Sequence, residues 1–367
     1  MDFFSKNTGF FYKTCYTENR IRCSEEVSFP MEFRSVYIDL CMGDDSEDKP
    51  LILEQVLFCP VLTWVCRELL GHGVRRFFVV CDESWKAETE NALSGIEGAE
   101  VFTDAAARAA AGESLSLTGA VLPIEGGEMP FGWLRIDSRA ELLGAAARCR
   151  AVVCEKLSEQ GVTIIDPDTT YIDPRAKIGA GTVVMPNTIV RGASVVGENC
   201  ELGPNTMIRD CTVGNDTTVN ASQLNESVIG NHVTVGPFAY VRPNCRVGDH
   251  CRIGDFVELK NSVLDDGTKV SHLTYVGDSD IGKRVNFGCG TVTTNYDGVK
   301  KYRCTVGDDV FLGCNTNLVA PVKVGESAYT AAGSTITEDV PAGALAVARA
   351  RQENKQGWVK KFFAKKR

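Results

Sequence analysis

The sequence predicts a mainly β protein: a parallel β-helix of triangular section, preceded by a small α/β domain. Three observations carry this. An aliphatic residue returns every six positions from Ile172 to about Ile336, glycine commonly follows it with Asp, Asn or Glu next, and a β-α-β order stands ahead of both.

Residues 1–30 have no clear periodicity. Met31 lies directly ahead of the first strand pattern, and codons for Glu25-Glu26-Val27 can spell a ribosome-binding sequence at a sensible distance from it. The expectation is a start at Met31, with 1–30 an untranslated leader. From Ser35, SVYIDL reads as a strand, GDDSEDKP as a loop, VLTWVCRELLGHG as a helix and VRRFFVVCD as the next strand, which makes a small parallel sheet within residues 31–137. The Ala-rich stretch Thr103–Gly112 reads as another helix. Residues 138–161 form a linker helix, with Ser138 as N-cap and Gly161 just past its end.

The repeat then occupies 162–345. It reads Ile172, Ile178, Val184, Val190, Val196, Leu202, Ile208, resumes as Ile229, Val235, Val241, Val247, Ile253, Leu259, and again as Val306, Leu312, Leu318, Val324. Neither a helix, with period 3.6, nor an ordinary strand, with period 2, produces a repeat of six. A solenoid with three strands per coil and one apolar side chain per strand pointing inward does. Residues 346–367 are a basic, aromatic-containing tail whose cations Lys360, Lys361, Lys365, Lys366 and Arg367 read as a solubilising end.

Composition fits an ordinary globular chain: net charge −9, 44% hydrophobic, 24% charged. No apolar run approaches the roughly 18 residues a membrane span needs, and the N-terminus has no signal-peptide core. The expectation is a cytoplasmic protein with neither membrane nor nucleic acid as a partner. Fifteen cysteines, scattered without a C-x-x-C pair, read as free thiols in a reducing compartment.

A repeat is a scaffold, so chemistry is expected where it breaks. One break is SHLTYVGDSDIG after Val270. The other is the longer loop GCGTVTTNYDGVKKYRC between Phe287 and Val306. Together they hold His272, Tyr275, Asn286, Asn295, Tyr296 and Lys301 in one short stretch. Of four histidines, His232 and His250 read as solvated corner residues and His72 as a helix C-terminal residue. His272 takes the place of a corner. Imidazole ionises near neutrality, so it is the natural base for removing a proton from an amine or hydroxyl nucleophile. The histidine spacing does not suit a metal site, and none is expected. Arg242, placed at an inward-turning corner, Lys260 at a strand end, and Lys300 and Lys301 in the loop form a cationic group on an acidic chain. An anion such as phosphate is the ligand they suit.

At GPFAYVRP, GDFVELKNS, SHLTYVGDSDIG, VNFGCGTVTTNYDGVKK, VGDDVFLGCNTNLVAPVKVG, AAGSTITEDVP and QENKQGW the chain resembles the acetyltransferase domain of the bacterial bifunctional N-acetylglucosamine-1-phosphate uridyltransferase / glucosamine-1-phosphate N-acetyltransferase family. The resemblance runs from the linker helix to the tail. It implies a left-handed β-helix, a homotrimer with active sites between subunits, and acetyl-CoA and glucosamine-1-phosphate as substrates. It implies His272 as general base, and Arg242, Lys260, Tyr275 and Asn286, with Lys301 beside them, at the sugar phosphate. Asn295, Tyr296, Ala332 and Arg349 match acetyl-CoA contacts. Cys289 and Cys314 stand at two further contacts where the family usually has Ala and Ser. Mg2+ is not expected to take part in acetyl transfer.

The N-terminal part departs from that family, whose first strand leads into L-x-x-G-x-G-T-R-M. Here YIDLCMGDDSEDKPLIL keeps only Gly43, sets Asp44 and Asp45 where Thr and Arg belong, and reverses Lys49-Pro50. Asp137 replaces an expected Asn metal ligand, and the domain is shorter. The resemblance therefore implies a truncated nucleotidyltransferase-like domain that has lost uridyl transfer. Two alternatives stay open: acetylation of another amino sugar, and a non-catalytic trimeric scaffold.

Overall fold

A computed structural model describes residues 34–41, 49–104, 110–112, 114–125 and 133–364. The proposed leader, the loop with Gly43, Asp44 and Asp45, half of the Ala-rich stretch and the last three residues lie outside them.

The first region is a four-stranded parallel sheet. Its strands are β1 (Ser35–Asp39), β4 (Arg76–Val80), β5 (Ala99–Phe102) and β6 (Leu115–Thr118), in the order β5-β4-β1-β6. Between β1 and β4 come a short hairpin, β2 (Gln55–Val56) with β3 (Cys59–Pro60), and helix α1 (Val61–Gly71). Val36, Ile38, Phe77 and Val79 alternate with Leu62, Val65 and Leu69 of α1 in one buried core. Helix α2 (Lys86–Ala92) and the antiparallel pair β7 (Ala120–Glu125) and β8 (Trp133–Ile136) complete this region.

Helix α3 (Arg139–Glu159) joins the two halves. Ser138 Oγ accepts the Glu141 amide hydrogen at its start, and Gly161 takes the left-handed φ of +89° after its end. One side of α3 packs on the hairpin and on β7 and β8, the other on the first coil of the solenoid. Lys156 Nζ lies 2.9 Å from Glu68 Oε2 of α1.

From Thr163 to Ala346 the chain winds into a left-handed parallel β-helix with three flat faces. Face 1 has eleven strands beginning at Thr163–Ile164, face 2 ten beginning at Tyr171–Ile172, and face 3 nine beginning at Lys177–Ile178. The repeat is continuous through the gap in the sequence pattern. Val213, Val219 and Leu224 fill the positions between Ile208 and Ile229 because several corners use five residues rather than six.

Each strand sends a second, smaller side chain inward, two residues before the aliphatic one. Thr182, Ser194, Thr217 and Thr268 occupy such places and bond to corner carbonyls or amides. Cys200, Cys211, Cys245, Cys251 and Cys304 take the same position and are buried, so they are core residues. Two aliphatic positions carry threonine instead. Thr293 Oγ1 accepts from the Gly277 amide at 2.7 Å, and Thr330 Oγ1 accepts from the Gly313 amide at 3.0 Å. Thr293 interrupts the aliphatic column in the coil of the long loop, and Thr330 interrupts it after Val324. Beyond the last coil, residues of the tail form helix α4 (Trp358–Ala364), which periodicity did not predict. Among the described residues no helix is long and apolar enough to cross a membrane.

Candidate active site

The edge where face 1 turns into face 2 carries the first group. Strands Arg252–Asp255 and Lys269–His272 run in register, with Asp255 beside His272. Gly254 permits the approach: a Cβ there would collide with the Ser271 carbonyl oxygen. His272 Nδ1 stands 2.6 Å from Asp255 Oδ1, and this hydrogen bond holds the Asp255 carboxyl below the usual carboxylate range. With a carboxylate accepting from Nδ1–H, the Nε2 lone pair is the one left to take a proton. The ring is about half exposed. It is the last residue of a strand; Leu273, at φ +46°, makes the corner that the sequence assigned to His272.

The same edge continues upward. Lys269 and Val270 pair with Asn286 and Phe287, and those with Phe311 and Leu312, which sets Cys289 one coil above His272 and Cys314 one coil above Cys289. The Asn315 amide donates to the Cys289 carbonyl, and the Gly333 amide to the Cys314 carbonyl, so Ala332 comes next. Arg349 reaches this edge too: a Cβ on Gly333 would touch its Cδ at 3.8 Å. Asp255, His272, Cys289, Cys314 and Ala332 thus form one column at the coil spacing of about 4.8 Å. Asn286 lies beside it on face 1.

The second group sits at the next edge, where face 2 turns into face 3. Asp278, nearly buried and at φ +48°, is its hub. It accepts from Lys260 Nζ at 3.0 Å, from Asn261 Nδ2 at 2.6 Å, and from Asn295 Nδ2. Burial alone would raise the Asp278 carboxyl, but these donors hold it below its ordinary value. The neighbouring Lys260 ammonium pushes the Lys301 amine below its ordinary value. Arg242 points outward, not inward as the sequence suggested, and its Nη1 binds Glu258 Oε1 at 2.9 Å. Tyr296 and Lys301 face each other across the hairpin of the long loop, with the Tyr296 ring exposed.

The expected residues are therefore two clusters rather than one. Tyr275 lies on face 2 between them, in the strand Tyr275–Gly277, where Gly277 pairs with Lys260. Five residue steps lead from His272 around the Leu273 corner to Gly277, at most roughly 16 Å at about 3.3 Å per step. Sequence reading missed Asp255 and Asp278. The available signal was their place 17 residues before His272 and Asn295, about one coil, and it is readable only once coil lengths are known. His232 and His250, by contrast, are corner residues as expected; their rings stack at 4.7 Å on the edge where face 3 turns into face 1.

Residues 175–210 and 226–261 match the family described as bacterial transferase hexapeptide (six repeats). Both matched stretches lie within the solenoid. The "bifunctional protein GlmU" of Caldanaerobacter subterraneus subsp. tengcongensis is 55% identical to the chain over 232 residues, 63% of this chain and 51% of that protein. Its counterpart in Thermoanaerobacter pseudethanolicus is 52% identical over 232 residues, with the same coverage. The chain spans about half the length of the curated relatives it matches. Among solved structures, the Arabidopsis UDP-N-acetylglucosamine acyltransferase is 18% identical, covering 56% of this chain and 72% of that one with a TM-score of 0.31.

Proposed function

We propose that the transferase domain moves the acetyl group of acetyl-CoA to the amine of glucosamine-1-phosphate. The His272–Asp255 pair carries this reading: an oriented imidazole with an open Nε2 on an exposed edge is a base looking for a substrate proton. As the amine nitrogen attacks the thioester carbonyl, Nε2 takes its proton while the C–N bond forms. The oxyanion of the tetrahedral intermediate accepts from a backbone N–H near Cys289 or Gly290. The C–S bond then breaks and CoA leaves as its thiol, the histidine returning the proton. No step calls for Mg2+ or for an acetylated cysteine.

Arg242, Lys260 and Lys301, with Tyr275 and Asn286, are the residues assigned to the sugar phosphate. A phosphate beside Lys260 and Lys301 offsets the repulsion between the two amines. Asn295, Tyr296, Cys289, Cys314, Ala332 and Arg349 are assigned to the coenzyme. His272 and the Arg242/Lys260 group stand on different edges of one copy, and we read neighbouring copies as completing each other's sites in a homotrimer. Phe238 and Phe256, stacked at 5.4 Å, and Leu273, all more than half exposed, supply an apolar ladder on the His272 edge for such packing. The N-terminal domain is read as a remnant without uridyl transfer, on the acidic Asp44 and Asp45 in its loop.

The test is product mass after incubation with acetyl-CoA and glucosamine-1-phosphate, beside UTP-dependent pyrophosphate release. N-acetylglucosamine-1-phosphate without pyrophosphate is expected. Acetylation of other amines but not this one overturns the substrate assignment, and pyrophosphate release overturns the remnant reading.

A further inference from the structure

Thirteen cysteines are described, ten of them buried. Cys41 lies in the N-terminal domain, and burial with the nearby Asp82 and Asp39 carboxylates pushes its thiol up to about 11. The other two that reach the surface, Cys289 and Cys314, are neighbours on adjacent coils, half-buried and exposed respectively. Their placement is fixed twice over. The ladder pairs Asn286 with Phe311 and Phe287 with Leu312, a constant offset that brings Cys289 level with Cys314. The Asn315 amide also donates to the Cys289 carbonyl at 2.8 Å. Gly288 and Gly313, the preceding residues, touch backbone to backbone, so nothing holds the two strands apart. In-register parallel strands lie about 4.8 Å apart, inside the 4.4–6.8 Å Cα separation that a disulfide bridges. Both side chains leave the prism on the same edge, one and two coils above His272.

We propose that Cys289 and Cys314 are a reversible dithiol switch, whose disulfide closes the coenzyme side of the site. The oxidant is a low-molecular-weight disulfide. The more exposed Cys314 thiolate attacks one of its sulfurs, forming a mixed disulfide and releasing one small thiol. Cys289 then attacks the Cys314 sulfur, forming the protein disulfide and releasing the second. Two protein thiols are oxidised and one small disulfide is reduced to two thiols. Among the described residues no cluster of three or more metal-binding side chains includes the pair, which favours thiol exchange over metal binding as its chemistry. The bridge lays two bonded sulfurs along the edge where the thioester must approach His272. This last effect rests on the coenzyme assignment proposed above; the bond itself does not.

The full-length protein is treated with oxidised glutathione, then alkylated and digested. Peptide mass spectrometry is expected to find the peptide with Cys289 linked to that with Cys314, two hydrogens lighter and separable by dithiothreitol. CoA affinity, read by titration calorimetry, should fall at least about tenfold on oxidation and return on reduction. Cys289→Ser should stop at the first step, carrying glutathione on Cys314 with no cross-link to residue 289. In the wild type, persistent glutathione adducts without the cross-link, or a cross-link that leaves CoA affinity unchanged, overturns the switch. A cross-link in a protein that binds no CoA even when reduced defeats the coenzyme assignment and, with it, the gating. Acetylation of a different amine by a protein that still switches leaves the proposal standing and removes only the substrate assignment.

Discussion

Asp255 acts on the imidazole through one 2.6 Å contact and touches no reacting atom, so it is a positioning residue. His272→Ala should lower turnover at least about a hundredfold, the usual loss of a general base. Asp255→Asn should cost roughly tenfold in kcat with little change in KM. Steady-state kinetics on both variants separates them: an Asp255→Asn loss confined to KM would place that carboxylate at substrate binding instead. Asp278 makes a second prediction. Its folded carboxyl lies below its unfolded value near 3.9, so the stabilisation it gives is complete above that pH and fades as pH falls through the lower folded value. Melting temperature followed from pH 5 to pH 3 should fall more steeply in the wild type than in Asp278→Asn. Neither aspartate was legible in the sequence, because each works on a partner in the next coil. His272, Lys260 and Arg242 stood out because they interrupt a pattern; a carboxylate after Gly looks like every other corner of this chain.

At the scale of the element, the repeat itself was legible from its aliphatic column, and the linker helix from Ser138 and Gly161. What sequence could not show was which coils use five-residue corners, since a shortened corner and a broken repeat look alike on paper. The threonines at Thr293 and Thr330 compounded this by placing polar residues in apolar positions. Thr293 gives a prediction whose sign is informative. Thr293→Val makes the core more apolar and keeps its shape, yet it leaves the buried Gly277 amide without an acceptor. An unsatisfied buried donor costs about 1–3 kcal/mol, which exceeds the gain from one methyl group of about 0.8 kcal/mol. Denaturant unfolding should therefore show a less stable variant; a more stable one would mean that the Gly277 amide finds another partner.

At the scale of the whole molecule, the chain is a small parallel sheet and a long prism joined by α3. Sedimentation should give a particle three times the 39.8 kDa chain mass, and Phe256→Glu should shift it toward the monomer. The helical tail was invisible to periodicity because seven residues hold too few turns to show one.

Helix α3 lies against the first strands of the prism, Thr163–Ile164 and Tyr171–Ile172. A stack of coils has no inherent last layer, and its terminal strands present the same open hydrogen-bonding groups that bind one coil to the next. The helix is thus a stopper against end-to-end fibre growth. A chain beginning at residue 138 should stay as discrete particles under the electron microscope, whereas one beginning at residue 162 should string together into filaments.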